Sequence, residues 1–270
     1  MPRASSRRSS SRRNSSRRPA AAQPIQIIPL LGIPEIAAGD DLAAILSRAA
    51  KRGKFAFRNG DVLVVAQKIV SKSENALIDL ATVSPSPKAL TLAARLHKDA
   101  RFLEVVLQQS RRIVREDHVL IVETHHGFIC ANAGVDHSNV SGADMVAVLP
   151  AAPDHSAADL AAVLRKLTGK SMAVIISDTF GRPWRLGLTN VAIGAAGLAV
   201  LRDLRGGFDR TGKPLQATIL AVADELAAAA GLAMGKAEGI PAVLIRGYRF
   251  TPSSDRALSI IRPSQEDLFR

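Results

Sequence analysis

The run Val174-Ile175-Ile176-Ser177-Asp178-Thr179-Phe180-Gly181-Arg182-Pro183-Trp184 sets a carboxylate beside a hydroxyl at the end of an apolar stretch. Both are hard oxygen donors, suited to a Mg2+ or Mn2+ ion that holds a phosphate. Arg182 and Arg185 follow closely enough to meet the anion such a cation brings. A second polar focus is Asp136-His137-Ser138-Asn139, preceded by Ala131, Ala133 and Gly134, whose small side chains allow close backbone approach. Two carboxylates from separate loops commonly bracket one metal and its phosphates, which pairs Asp136 with Asp178. Asn139 offers an amide to a base or a phosphate. A third focus is Gln67-Lys68-Ile69-Val70-Ser71-Lys72, where a lysine just beyond a buried strand can serve a phosphate as a point charge. A structural role competes at each place: Asp178 as a turn cap, Asp136 with Asn139 in an Asx-turn, and the lysines as solvated surface charge.

These groups need elements to hold them. Ala173 to Ile176 is brief and rich in β-branched residues, so it predicts a buried strand that delivers Asp178 to its end. Gly181 and Pro183 then predict a loop. Ile25 to Leu30 alternates as a strand and runs into Gly32-Ile33-Pro34-Glu35-Ile36, a stiffened turn whose amides can face a ligand. Asp40 and Asp41 then open a helix through about Ala50. Val62 to Ala66 predicts a strand ending at Gln67. Residues 88–110 predict a helical region closed by Arg111, Arg112 and Arg115 as a basic helix end. Val119 to Val122 and Phe128 to Ala131 predict strands, Ser156 to Thr168 a helix capped by Ser156 and stopped by Gly169. Residues 202–213 predict a loop, Ala217 to Val222 a strand, Asp224 to Met234 a helix and Ala242 to Ile245 a last strand. The mixture lacks strict βαβ alternation, so the fold class is α+β, mainly antiparallel sheets with flanking helices.

The chain has 270 residues, 47% hydrophobic and 22% charged, as expected of a globular protein. A single cysteine, Cys130, rules out an intramolecular disulfide framework and suits a reducing cytoplasm. It sits in an apolar run, which favours packing over nucleophilic chemistry. No apolar run is long enough to span a bilayer. The net charge of +12 owes seven positives to arginines within residues 1–18, so removing them leaves +5. That Ser/Arg segment cannot build a core, and residues 1–22 are expected to be a disordered tail. Nucleic-acid contact through it is the competing, less favoured function.

Two glycine-lysine runs mimic phosphate loops. In Gly207-Phe208-Asp209-Arg210-Thr211-Gly212-Lys213-Pro214, proline stands where a metal-holding hydroxyl is required. Gly231 to Lys236 is one residue short, although Gly235 leaves Lys236 free beside a loop.

Taken together, the chain resembles the γ-glutamyl ligases of coenzyme F420 biosynthesis over about residues 25–250. The likeness is carried by Gly32-Ile33-Pro34-Glu35-Ile36 with Gly39-Asp40-Asp41, Gln67 to Lys72, Ala133-Gly134-Val135-Asp136 with Ser138-Asn139, Ser177 to Arg185, and Val222-Ala223-Asp224-Glu225 with Met234-Gly235-Lys236. The resemblance implies a dimeric, GTP-dependent ligase that joins L-glutamate to the terminal carboxylate of a deazaflavin acceptor, using Mg2+ or Mn2+ and often a monovalent cation such as K+. It implies metal ligands at Asp136, Asp178 and Thr179. Nucleotide contacts fall at Ile33, Pro34, Glu35, Ile36, Gln67, Lys72, Asn139, Met234, Gly235 and Lys236, within a loop reaching Pro241. Lys72 and Arg182, with Asp178, are the expected catalytic groups, and Glu35 or Asp224 the base. The ligase domain is expected over 23–250, in one or two subdomains, with an extension over 251–270 and without the C-terminal reductase domain some relatives carry. Lys236 departs from the pattern if that position is meant to help hold a second metal, because a protonated lysine cannot ligate a cation.

Overall fold

The computed structural model describes residues 23–267. The arginine-rich tail lies outside these residues. In chain order the elements are β1 (Gln26–Pro29), α1 (Leu42–Arg52), β2 (Val62–Ala66), α2 (Gln67–Ser73), β3 (Leu77–Asp79), α3 (Pro87–Leu96), α4 (Ala100–Gln108), β4 (Ser110–Glu116), β5 (Leu120–Thr124), β6 (Ile129–Ala131), β7 (Met145–Ala147), α5 (Pro153–Thr168), β8 (Ala173–Arg182), β9 (Arg185–Ala196), β10 (Arg202–Asp203), β11 (Ile219–Leu220), α6 (Val222–Met234) and β12 (Ala242–Arg246). The fold is mixed α+β, with mostly antiparallel sheets and flanking helices.

A five-stranded sheet in the order β1-β12-β2-β8-β9 forms the centre. Only β2 and β8 run parallel; the other neighbours are antiparallel. The central strands are covered on both faces, which is why Val62 to Val65 and Ala173 to Ile176 read as unbroken apolar runs. Leu63, Val65, Val174 and Ile176 pack with α1 and α5 on one face. Val62, Val64, Ala173 and Ile175 pack with α6 on the other. A third core joins α3 and α4 to β5, β7 and the turn at 132–134. Two small sheets, β3-β7 and β4-β5-β6, belong to this segment between α2 and α5.

Several boundaries differ from expectation for identifiable reasons. The strand carrying Asp178 does not stop there; β8 continues to Arg182 and forms a hairpin with β9, so Gly181 lies within the strand, at a register shift between Phe180 and Arg182, and only Pro183 and Trp184 turn the chain. The helical region breaks at His97, whose left-handed backbone (φ 52) ends α3. Arg111, Arg112 and Arg115 are not a helix end: they lie on β4, and Arg111 and Arg112 pair with Glu123 across the ladder on β5. Helix α5 starts at Pro153, which suits a first helical position, while Ser156 bonds back to the Ala152 carbonyl. The strand expected at 217–222 shrinks to β11, because Val222 already begins α6.

Candidate active site

Strand β2 passes into α2 without a connecting residue. Helical spacing then brings Lys68 and Lys72, four residues apart, to one side, and Gln67 and Ser71 to another. Ser71 Oγ donates to Gln67 Oε1 at 2.8 Å and also lies 2.7 Å from the Val148 carbonyl. The Gln67 amide is fixed by this contact with its Nε2 buried and unpartnered. Lys72 is only 4% exposed and forms an ion pair with Glu35, which hangs over it from the 32–36 loop. Lys68 reaches across to Asp136 Oδ2 at 2.6 Å and also donates to Ser138 Oγ.

Asp136 is presented by a run of left-handed residues, Asn132 (φ 51), Ala133 (φ 55) and Gly134 (φ 71). A Cβ on Gly134 would stand 2.7 Å from Leu149, so smallness here serves packing as well as ligand approach. Asp136 Oδ1 accepts from the Ser138 amide at 2.8 Å, which is the Asx-turn expected as its structural role. The carboxylate nevertheless faces a cavity; the two roles coexist. Burial works against its ionisation, but bonds from Lys68 and Ser138 prevail and hold it below the ordinary carboxylate range.

Strand alternation on β8 turns Asp178 toward Asp136 and Lys68, and Thr179 toward β9. A register shift between Ile176 and Ser177 marks where the strand leaves the core and becomes part of the site. Burial pushes the Asp178 carboxyl up to about 6, against the Thr179 amide and the charge of Lys68, with Asp136 adding to the rise and Lys236 opposing it. Ser177 Oγ beside it is buried and unpartnered. Thr179 Oγ1 bonds to Asn190 Oδ1 at 3.1 Å and accepts from Lys236 Nζ at 3.1 Å. Asn139 Nδ2 donates to the Lys236 carbonyl at 3.2 Å, closing the ring of segments.

All of these segments line one cavity of about 510 Å³. Ile33, Pro34, Glu35, Ile36, Gln67, Lys72, Asp136, Asn139, Asp178, Thr179, Met234, Gly235 and Lys236 are among its walls. Arg182 is not: its guanidinium donates to the Leu186 carbonyl at 2.8 Å in the exposed hairpin, and its position lends no support to an anion-binding role. Asp224 also lies off the cavity, where it accepts from the Ala192 amide at 2.9 Å and joins α6 to β9. Sequence reasoning left Lys68, Ser177 and Asn190 out of the site. The four-residue spacing from Lys68 to Lys72 was the available signal for the first. Cys130 lines the cavity too, but burial, with the Asp178 charge adding, pushes its thiol up to about 12, so it stays protonated.

The sequence profile of the F420-0:Gamma-glutamyl ligase family matches residues 31–247. The chain belongs to this family. That span takes in every segment around the cavity. Among its relatives in the F420 ligase family, the Coenzyme F420:L-glutamate ligase of Methanothermobacter thermautotrophicus is 46% identical over 243 residues, 88% of this chain and 96% of that protein. The protein of the same name from Methanopyrus kandleri is 46% identical over 244 residues, covering 87% and 94%. That from Methanocaldococcus jannaschii is 42% identical over 219 residues, covering 80% and 87%. Among the described residues of this F420 ligase family member, no helix is long and apolar enough to cross a membrane.

The donor set suits a hard divalent ion. Asp136 and Asp178 supply two carboxylates, and among the described residues no group of three or more His, Cys, Asp or Glu side chains adds to them. Mg2+ is characteristically held by one or two carboxylates, with waters and substrate phosphates completing its shell. The unpartnered Gln67 Nε2 is a buried donor that a phosphate or base oxygen would satisfy.

Proposed function

We propose that this chain is a GTP-dependent ligase that forms an amide between the α-amine of L-glutamate and the terminal carboxylate of F420-0 or a close deazaflavin precursor. The observation that carries this reading is the convergence of Asp136 and Asp178, forty-two positions apart in sequence, with Lys68, Lys72 and Gln67 in one cavity of a family member. The names of its relatives supply the acceptor and the glutamate. A carboxylate is a poor acyl donor until its oxygen becomes a good leaving group. In this reading the acceptor carboxylate attacks the γ-phosphorus of GTP and GDP departs, leaving an acyl phosphate. The glutamate amine then attacks the acyl carbon, phosphate leaves, and the nitrogen gives up its proton.

The first step asks mainly for positioning and charge neutralisation. Asp136 and Asp178 would hold Mg2+ or Mn2+, which when bound screens the phosphate oxygens and polarises the transferring group. Lys72, buried and aimed from a rigid element, spreads the negative charge that develops on the phosphoryl group. Gln67, Asn139 and the 32–36 and 234–241 segments surround the nucleotide. Glu35 at the cavity wall is the carboxylate available to take the amine proton. Thr179 could join the metal only by releasing Lys236. A monovalent cation such as K+, a homodimer and a cytoplasmic setting complete the reading.

The test is incubation of purified protein with GTP, Mn2+, L-glutamate and F420-0, followed by mass spectrometry. Acceptor lengthened by one or more glutamates is expected, with GTP hydrolysis stimulated by glutamate and acceptor together. Nucleotide hydrolysis indifferent to glutamate would point instead to another metal-dependent phosphoryl transfer.

A further inference from the structure

One cation is already built into the cavity wall beside Thr179. Lys236 Nζ stands 3.1 Å from Thr179 Oγ1, whose own proton is directed to Asn190 Oδ1. Although Lys236 is exposed, its backbone is fixed: its amide donates to Glu238 Oε2 at 2.6 Å and its carbonyl accepts from Asn139. Gly235 makes this possible, with φ 59 and a Glu238 oxygen 1.9 Å from where a Cβ would be. The side chain is therefore delivered to the site by its loop. A divalent ion on the Thr179 hydroxyl would sit at about 2.1 Å from that oxygen, crowding an ammonium that shares it. Charge balance argues the same way. The walls hold three carboxylates, Glu35, Asp136 and Asp178, against three ammoniums, Lys68, Lys72 and Lys236, with Glu35 paired to Lys72 and Asp136 to Lys68. One divalent ion on Asp136 and Asp178 suits that set; among the described residues no group of three or more His, Cys, Asp or Glu side chains gathers to hold another, and Glu35 is taken up by Lys72.

We infer that Lys236 is an intrinsic cation at the Thr179 end of the cavity, so that this chain works with one divalent ion, on Asp136 and Asp178, where Thr179 and a neutral neighbour would admit a second. The inference rests on reading the cavity as a site for a metal and a nucleoside triphosphate. In it, Lys236 contributes a fixed positive charge to the phosphate chain that does not depend on metal concentration.

Counting bound ions tests this without turnover. Mn2+ binding to the full chain is measured by electron paramagnetic resonance, with and without a non-hydrolysable GTP analogue, for the natural protein, Lys236→Gln and Lys236→Arg. One Mn2+ per chain is expected for the natural protein and for Lys236→Arg. Lys236→Gln should take up a second ion once nucleotide is present. Two ions in the natural protein would overturn the inference, and so would a Lys236→Gln variant that stays at one. Asp178→Asn reports separately on the underlying reading, because it should lose the single ion. If it keeps that ion, or if no protein binds Mn2+ at all, the metal reading itself fails and takes the inference with it.

Discussion

At the scale of single residues, the site is costly to the fold that holds it. Asp178 is ionised less readily in the folded chain than in the unfolded one, since burial lifts it to about 6. Folding therefore binds a proton between the unfolded value near 4 and about 6, and this group's contribution to stability falls as pH rises through that window. Above it the penalty is complete. Asp178→Asn should abolish turnover and yet raise the melting temperature of the metal-free protein at pH 8 by several degrees, corresponding to about 1–3 kcal/mol. The gap should narrow as pH is lowered through 6; paired thermal melts in chelator at pH 8 and pH 5 check it. An unchanged turnover would remove Asp178 from the site. Lys72 invites a different experiment. Lys72→Met keeps the bulk of a buried stem but leaves Glu35 without its ion-pair partner. Affinity for GTP should fall roughly 10–100-fold, about 1.4–2.8 kcal/mol, by titration calorimetry, with the fold intact. Much of this was legible in the sequence, because Asp178, Asp136 and Lys72 each stand in a polar run that follows closely on an apolar strand. Lys68 was legible only as part of the Gln67–Lys72 run, since its role comes from Asp136, sixty-eight positions away.

At the scale of elements, legibility followed local physics. The central strands announce themselves as doubly buried apolar runs, α1 by its Asp41 cap, and α5 by its periodicity and its Gly169 stop, although Ser156 is not its cap. The failures share a cause: a residue with a strong local preference was outvoted by a partner distant in sequence. Gly181 reads as a breaker, yet β9 pairs along β8 past it. The β4 arginines read as a helix terminus, yet Glu123 on β5 gathers two of them. Helix α2 is too short to show a period and was missed. One contact between elements is tight enough to probe directly. At Gly194 on β9, a Cβ would stand 2.3 Å from the Pro153 carbonyl at the start of α5. Gly194→Ala should therefore destabilise by about 2–4 kcal/mol through overpacking against backbone. Chemical denaturation should show the loss in the midpoint, and a neutral result would mean that α5 can slide on the sheet.

At the scale of the whole molecule, two of the three cores sandwich the central sheet and the third lies in the segment that supplies Asp136. Asp178 belongs to the sheet, so the cavity lies where the two parts meet. No sequence pattern reports such a junction. The walls described above come from residues 33–241, and deleting residues 1–22 should leave kcat/KM within about twofold, while retention on an anionic matrix drops. A dead truncation would assign the tail a part in catalysis. The uninterrupted passage from β2 into α2 bears on motion. Gln67, Lys68 and Lys72 are hitched to the middle of a five-stranded sheet with no slack between, whereas Glu35 and Lys236 arrive on connecting segments. Such a site has one stationary jaw, so any tightening around a substrate must come from the 32–36 side, while the α2 lysines and the Lys236 backbone, tied to Glu238 and Asn139, keep their places.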